Sequence, residues 1–293
     1  MELYCAFFKI LRHNIRNIII YILILLGLIV LLTFQIQNIK YANAVSMTEE
    51  YEKIWEDYIE TEPAGVTFHL YSSLDVTDSR ELKLYYFFNY VAFSIMSITA
   101  TGIAIMLAEF QNDSTDRRIR SALVQERKLL FLYMSAGLML VIGIWSIHIL
   151  AAICLLGRIV FSMKGMLAAL NMLALAVSAH GFANLSMQFI KNKKRIGITI
   201  NMLILIMCLI SGVFTPQYLL GDTAKAIAVL MPTYWYVKAG DIISSNQFIE
   251  TFNYVEIIRY IVIQFLFAIA MYVIALVISK AREDEAGGAL KNV

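Results

Sequence analysis

Apolar positions in this chain do not mark one face of a helix or one face of a sheet. They run on in long blocks. Six stretches are almost wholly apolar: residues 18–34, 85–108, 129–156, 166–189, 196–214 and 260–278, the last being the centre of a helix over 256–279. A helix needs about 20 residues to cross the hydrocarbon of a bilayer. Backbone surrounded by lipid must satisfy its own hydrogen bonds, so each block reads as a transmembrane helix. Strands of a membrane barrel would be shorter and would alternate in polarity, and these do not. The prolines Pro63, Pro216 and Pro232 fall between the blocks or at their ends. The pattern predicts an all-α polytopic membrane protein with six transmembrane helices.

The segments between blocks have their own patterns. In residues 1–17, Glu2, Lys9, Arg12, His13 and Arg16 fall within an arc of about 100° on a helical wheel. Leu3, Phe7, Ile10 and Leu11 lie on the other side. Such a helix lies in the membrane interface, as a simple anchor or as a docking surface for a cytoplasmic partner. Residues 35–84 form the largest polar segment. Tyr51, Ile54, Trp55 and Tyr58 recur at helical spacing after a capping-box pair, Ser46 and Glu49. Val66, Phe68 and Leu70 alternate as in a short extended piece. The segment is too short to hold an independent core, so it is expected to pack on the spans or on a second copy. Residues 109–128 mix both charges, and Asp113 or Ser114 is placed to cap a helix running from Thr115.

Composition agrees with the blocks. The 293 residues are 60% hydrophobic and 16% charged, with a mean hydropathy of +0.70. Soluble domains are about 45–50% apolar and about 25% charged. A soluble enzyme, a nucleic-acid binder and a disordered chain are thereby excluded. The net charge of +2 becomes informative once it is partitioned. With the N-terminus inside, the inner segments hold 15 of the 24 basic and 8 of the 22 acidic residues, giving +7 inside and −5 outside. Basic residues gather on the cytoplasmic side, so both termini are expected in the cytoplasm of a multi-pass plasma-membrane protein. The 35–84 cap is net −6. That acidity is either part of the charge asymmetry or an attraction for a cationic substrate. Ala42–Ala44 has a signal-peptidase pattern, but it lies well past the first apolar run, and a retained anchor is the better reading. Cys5, Cys154 and Cys208 lie in no segment placed outside the cell, so no disulfide framework is expected.

Polar groups inside the blocks are few. Glu109, Glu256 and Arg259 sit at block ends, and no carboxylate lies at mid-membrane, where ion-coupled carriers keep one. His180, Asn184 and Gln188 fall on one face of the fourth block. Their spacing suits interhelical hydrogen bonds or, alternatively, a hydrated substrate path. His148 stands alone in the third block and reads as a packed structural residue. Ala100, Ala104 and Ala108 make a stripe of small residues for a close helix contact, within the chain or across a dimer. Metal-ligand spacings, a nucleophile elbow and a phosphate-binding loop are all missing from the sequence. No cofactor is expected on this chain.

The last third carries a resemblance. Ser211-Gly212-Val213-Phe214-Thr215-Pro216 ends the fifth block. A short apolar helix over residues 224–231, then Pro232, the aromatic group Tyr234-Trp235-Tyr236 and a final span follow. Upstream, the second block runs into Glu109 and a charged segment before the third. This order resembles the ABC type-2 exporter permeases, the membrane subunits of ATP-driven exporters. It covers the chain as architecture, with Gly-x-x-x-Pro and the later Pro as its most distinctive motifs. The cap is longer than in the smallest members.

The resemblance implies that residues 1–17 are a connecting helix. It implies that Asp116, Arg117, Arg118, Arg120 and Ser121 belong to a coupling helix seated on an ATPase. It further implies that residues 215–255 hold a re-entrant outer hairpin, with Phe214, Pro216, Pro232, Tyr234 and Trp235 at an outer gate. ATP and Mg would be bound by separate ABC ATPase subunits. A second permease copy or a paralogue would complete a dimer in a bacterial plasma membrane. The expected cargo is a hydrophobic or amphipathic substrate such as a bacteriocin-like peptide or a drug, with a lipid or lipid-linked glycan as a further option. The alternatives are a non-transporting immunity or sensor subunit binding ligand through its acidic cap, and a membrane enzyme using His148 or His180.

Overall fold

A computed structural model of the chain describes residues 79–110, 126–190, 195–215, 217, 220–244 and 254–291, together with Ile19, Leu23 and Gly27. The described residues are helical, with no strand among them. The long helices are α1 (Ser79–Phe110), α2 (Glu126–Leu156), α3 (Met163–Phe189), α4 (Ile196–Ser211) and α7 (Tyr254–Lys291). Two short helices, α5 (Asp222–Ala228) and α6 (Pro232–Ser244), lie between α4 and α7. A 3-10 turn, Gly157–Phe161, joins α2 to α3.

Four of these helices contain stretches long and apolar enough to cross a bilayer: Lys83–Ala108, Tyr133–Phe161, Met163–Phe189 and Tyr254–Ala281. They coincide with the second, third, fourth and sixth apolar blocks. The fifth block forms a shorter apolar helix of 16 residues, Ile196–Ser211. Of the first block, only Ile19, Leu23 and Gly27 are described, and all three are helical. The amphipathic 1–17 helix, the cap elements between residues 35 and 78, and the coupling segment with Asp116, Arg117, Arg118, Arg120 and Ser121 lie outside the described residues.

Several boundaries differ from the hydropathy pattern, two of them for a definite physical reason. The second block was bounded at Tyr85, but α1 starts at Ser79. Hydropathy registers Arg80, Glu81 and Lys83 as the end of oil, whereas a helix continues through charge where water is at hand. The fifth block was bounded at Phe214, but α4 stops at Ser211 because Gly212 turns left-handed, with φ of 95°. That conformation is open to glycine and costly for other residues. The short helix of the hairpin occupies Asp222–Ala228, and a turn follows through Val229 to Met231.

Packing follows from composition. α1 is the central helix. Phe87, Val91, Ile95, Met96, Ile103 and Ala104 are all buried on it, and they cover its whole circumference. α3 packs most extensively against α7 and α1. Small residues make this possible: Ala174, Ala176, Ala179 and Ala183 are fully buried, and backbones approach closely where side chains are small. Ala100 and Ala104 are also fully buried, so that stripe is used inside the chain.

The outer perimeter is apolar. On α7, Val255, Ile258, Val262, Leu266, Ile269, Val273 and Val277 are exposed at steps of three and four. Ile198, Met202, Ile206 and Leu209 do the same on α4, and Met139, Ile142 and Leu150 are exposed on α2. A soluble protein would not present three such stripes. This perimeter fits a protein embedded in a membrane.

Candidate functional site

The α5–α6 hairpin lies against one end of the bundle. Three sequence features build it. Gly212 ends α4 and lets the chain reverse. Pro232 opens α6 at the first helical position, where its missing N–H would have had no helical partner. Between them, Gln217 folds its side chain back. Its Nε2 donates to the Ser211 carbonyl at 2.9 Å and to the Tyr234 carbonyl at 3.0 Å. Ser211 and Thr233 hydroxyls meet at 2.5 Å, and both residues are fully buried.

Helix α6 is hydrogen-bonded directly to α1 and α3, and through Asn171 of α3 to α7. The Tyr236 hydroxyl donates to the Phe88 carbonyl on α1. Tyr85, one turn earlier on α1, donates to Asp241 Oδ1 at 2.9 Å. Asn171 of α3 donates to the Tyr236 carbonyl at 3.0 Å. Asn171 in turn accepts from Gln264 Nε2 of α7 at 2.7 Å. Ser178 donates to the Gln264 backbone carbonyl at 2.8 Å. Asn171 and Gln264 are 1% and 0% exposed, yet Gln264 Oε1 has no hydrogen-bond partner among the described residues. Asn89 of α1 donates to the Val213 carbonyl at 3.0 Å and so holds the end of the broken helix.

Around this network a cleft opens between α1, α3 and α6. Tyr85, Asn89, Lys164, Asn171, Tyr236 and Ser244 supply its polar atoms, and Leu84, Phe88 and Ile243 its apolar wall. The space within which the centre of a water molecule can move is about 20 Å³, room for one or two waters. Asp241 stands behind Tyr85. Burial pushes its carboxyl above the usual carboxylate range, and the hydrogen bond from Tyr85 opposes that shift.

The candidate outer-gate residues divide. Pro232 and Tyr234 are buried in the hairpin. Trp235 is half-buried, and its indole N–H donates to the Val229 carbonyl at 3.0 Å. Phe214 is partly exposed with its ring 5.6 Å from that of Phe93. Pro216 lies outside the described residues.

The polar face of α3 is placed as follows. His180 is 1% exposed and hydrogen-bonds the Tyr272 hydroxyl of α7 through Nδ1. Its ring lies directly over Gly137 of α2, where an added Cβ would collide with Nε2. Asn184 donates to the His180 carbonyl at 2.9 Å, within its own helix. Asn184 and Gln188 are half-buried. The described geometry is therefore that of a hydrogen-bonded and packed histidine.

His148 has a partner that the sequence did not reveal. Its Nδ1 lies 2.8 Å from the Ile144 carbonyl, which can only accept, so Nδ1 carries the proton. In a neutral ring Nε2 then accepts from the Ser94 hydroxyl at 3.0 Å. The order is that of a nucleophile and base, but Ser94 is 1% and His148 0% exposed, and the pair joins α1 to α2. Ser97 and Asn201 hydrogen-bond likewise between α1 and α4. Among the described residues, no group of three His, Cys, Asp or Glu side chains is placed to hold a metal.

Ser94, Asn171, Gln217, Gln264 and Tyr272 were not singled out from the sequence. Their signal was present as single polar residues within or beside long apolar runs, which in lipid must turn toward protein or water. Comparison with models of known protein families and with curated proteins finds no match for this chain.

Proposed function

We propose that this chain is the permease subunit of an ATP-driven exporter, moving a hydrophobic or amphipathic substrate, such as a peptide or drug, outward across the plasma membrane. The observation that carries the reading is the α5–α6 hairpin, folded back on one end of an apolar bundle between the short apolar helix α4 and the membrane-length helix α7, and hydrogen-bonded to α1, α3 and α4. Irregular backbone at this depth is tolerated where protein covers it. Such a hairpin is suited to closing one mouth of a path.

The opposite end suits coupling. From Phe88, which meets the hairpin, to Phe110 at the far end of α1 is about 33 Å at helical rise. The segment with Asp116, Arg117, Arg118, Arg120 and Ser121 follows Phe110 in the sequence, in a stretch rich in basic residues. It would receive the motion of a separate ATPase, with the hairpin on the outer side and a second copy or paralogue across the path.

The test is co-purification of the full chain with a candidate ABC ATPase, followed by transport in vesicles. The double variant Arg117→Glu, Arg118→Glu is expected to lose ATPase binding and ATP-dependent transport while keeping its thermal stability. Unchanged assembly and transport would overturn the coupling assignment.

A further inference from the structure

Lys238 on α6 points its ammonium at three aromatic rings. Nζ lies 5.5 Å from the Tyr234 ring centroid, 5.9 Å from that of Trp235 and 5.6 Å from that of Tyr260. Tyr234 and Trp235 come from α6 and Tyr260 from α7, so the cage spans the seam between hairpin and bundle. The walls are set at angles to one another. Tyr234 and Trp235 meet at 90° with centroids 5.4 Å apart, and Trp235 and Tyr260 are 5.5 Å apart. The indole is held in place by its bond to the Val229 carbonyl. Among the described residues, no carboxylate lies within ion-pair distance of Lys238, so the ring faces are what meets its charge.

The distances say which cation fits. A bare ammonium draws closest to a ring face when nothing separates them, and 5.5–5.9 Å is near the outer limit of about 6 Å for a useful cation–π contact. A nitrogen carrying methyl groups has its carbons about 1.5 Å further out. A methyl aimed at a ring centroid would then sit at about 4 Å from it, an ordinary van der Waals contact. The three rings form an open bowl to one side of Nζ, which holds the primary amine near the edge of cation–π range and leaves room for a bulkier, methylated cation.

We propose that Tyr234, Trp235 and Tyr260 form a binding site for a quaternary ammonium group, and that Lys238 is its tethered occupant, displaced when the ligand enters. The ligand is a choline-type headgroup of a lipid or a free quaternary cation. The site belongs to this chain alone and does not depend on an ATPase partner.

The experiment uses the full chain purified in detergent, with tetramethylammonium as probe and ligand-observed NMR as readout. Lys238→Met keeps the length of the stem and empties the cage of charge. It is expected to bind tetramethylammonium at least about tenfold more tightly than the unaltered protein. Trp235→Leu or Tyr260→Leu in the Lys238→Met background is expected to abolish that binding. A second readout needs no variant: acetylation of Lys238, followed by mass spectrometry, is expected to speed up several-fold in tetramethylammonium chloride over sodium chloride at equal ionic strength. Repeating the titration in nanodiscs separates the sources. Weaker apparent binding in phosphatidylcholine than in phosphatidylglycerol discs assigns the site to a lipid headgroup, and equal binding assigns it to a free cation. Absence of saturable binding to Lys238→Met, together with unchanged Lys238 acetylation, would overturn the proposal. Binding that survives loss of both rings would do the same.

Discussion

The side-chain amide of Gln217 donates to the backbone carbonyl of Tyr234 at 3.0 Å, and the same nitrogen reaches the Ser211 carbonyl. One side chain thereby joins the end of α4 to the first turn of α6, at the point where Gly212 reverses the chain. A Cβ added at Gly212 would come within 2.5 Å of Gln217 Cγ, on a backbone whose φ of 95° already disfavours any side chain. Gly212→Ala is therefore expected to destabilise the protein by about 1–3 kcal/mol, combining left-handed strain with displacement of Gln217. Thermal unfolding in detergent measures it. A melting temperature equal to that of the unaltered protein would show that the hairpin does not need this turn.

Asn171 and Gln264 make one direct hydrogen bond inside the bundle, so their energies should not add. A double-mutant cycle with Asn171→Ala and Gln264→Ala is expected to give a coupling of about 0.6 kcal/mol, and no more than about 1.7 kcal/mol, the range for such bonds between membrane helices. Additive effects would mean that the two side chains act separately.

Gly137 leaves space for the His180 ring and for nothing more. Gly137→Ala is expected to push the ring off Tyr272 and to cost about 1–3 kcal/mol as an overpacked core. His180→Ala in the same background should restore part of the loss by removing the ring that the new methyl meets. If the double variant is no more stable than Gly137→Ala alone, the clash is not with His180.

Asp241 predicts a pH dependence with a definite sign. Its carboxyl is raised in the folded protein, chiefly by burial. The native state then holds its proton to higher pH than the unfolded state does. This contribution to stability is complete below the ordinary carboxylate range and is lost as pH rises through the raised native value. Asp241→Asn should remove that decline. Tyr85→Phe removes the bond that opposes the shift, and should make the decline larger and carry it to higher pH. Unfolding midpoints across an acid-to-neutral series decide it. A midpoint that rises with pH in the unaltered protein and not in Asp241→Asn would contradict the sign.

Legibility in the sequence followed what each residue answers to. The blocks from which α1, α2, α3 and α7 form were readable because lipid imposes a length and a composition. The left-handed turn at Gly212 was not readable as a boundary, since hydropathy ignores backbone handedness and the apolar run continues through Val213 and Phe214. His180 stood out as a polar residue in oil, but its partner Tyr272 lies 92 residues away, and Ser94 lies 54 residues from His148. Pairings over such distances are set by which helices become neighbours. Gly137 carried no signal at all, because its role is to be absent beneath a ring.

The brevity of α4 has a consequence for the lipid around it. Sixteen residues rise about 24 Å, against about 30 Å of hydrocarbon in an ordinary bilayer. Its outward face is nonetheless nearly all oil, with Ile198, Met202, Leu203, Ile206 and Leu209 exposed beside Thr199. On this flank the protein presents a lower wall than on the flanks of α2 and α7. In a bilayer, acyl chains beside α4 would have to compress, at a cost of fractions of a kcal/mol for each ångström of mismatch. That deformation would be one-sided, favouring thin or short-chain lipid along a single edge, and an arriving neighbour there would relieve the most strain in the bilayer.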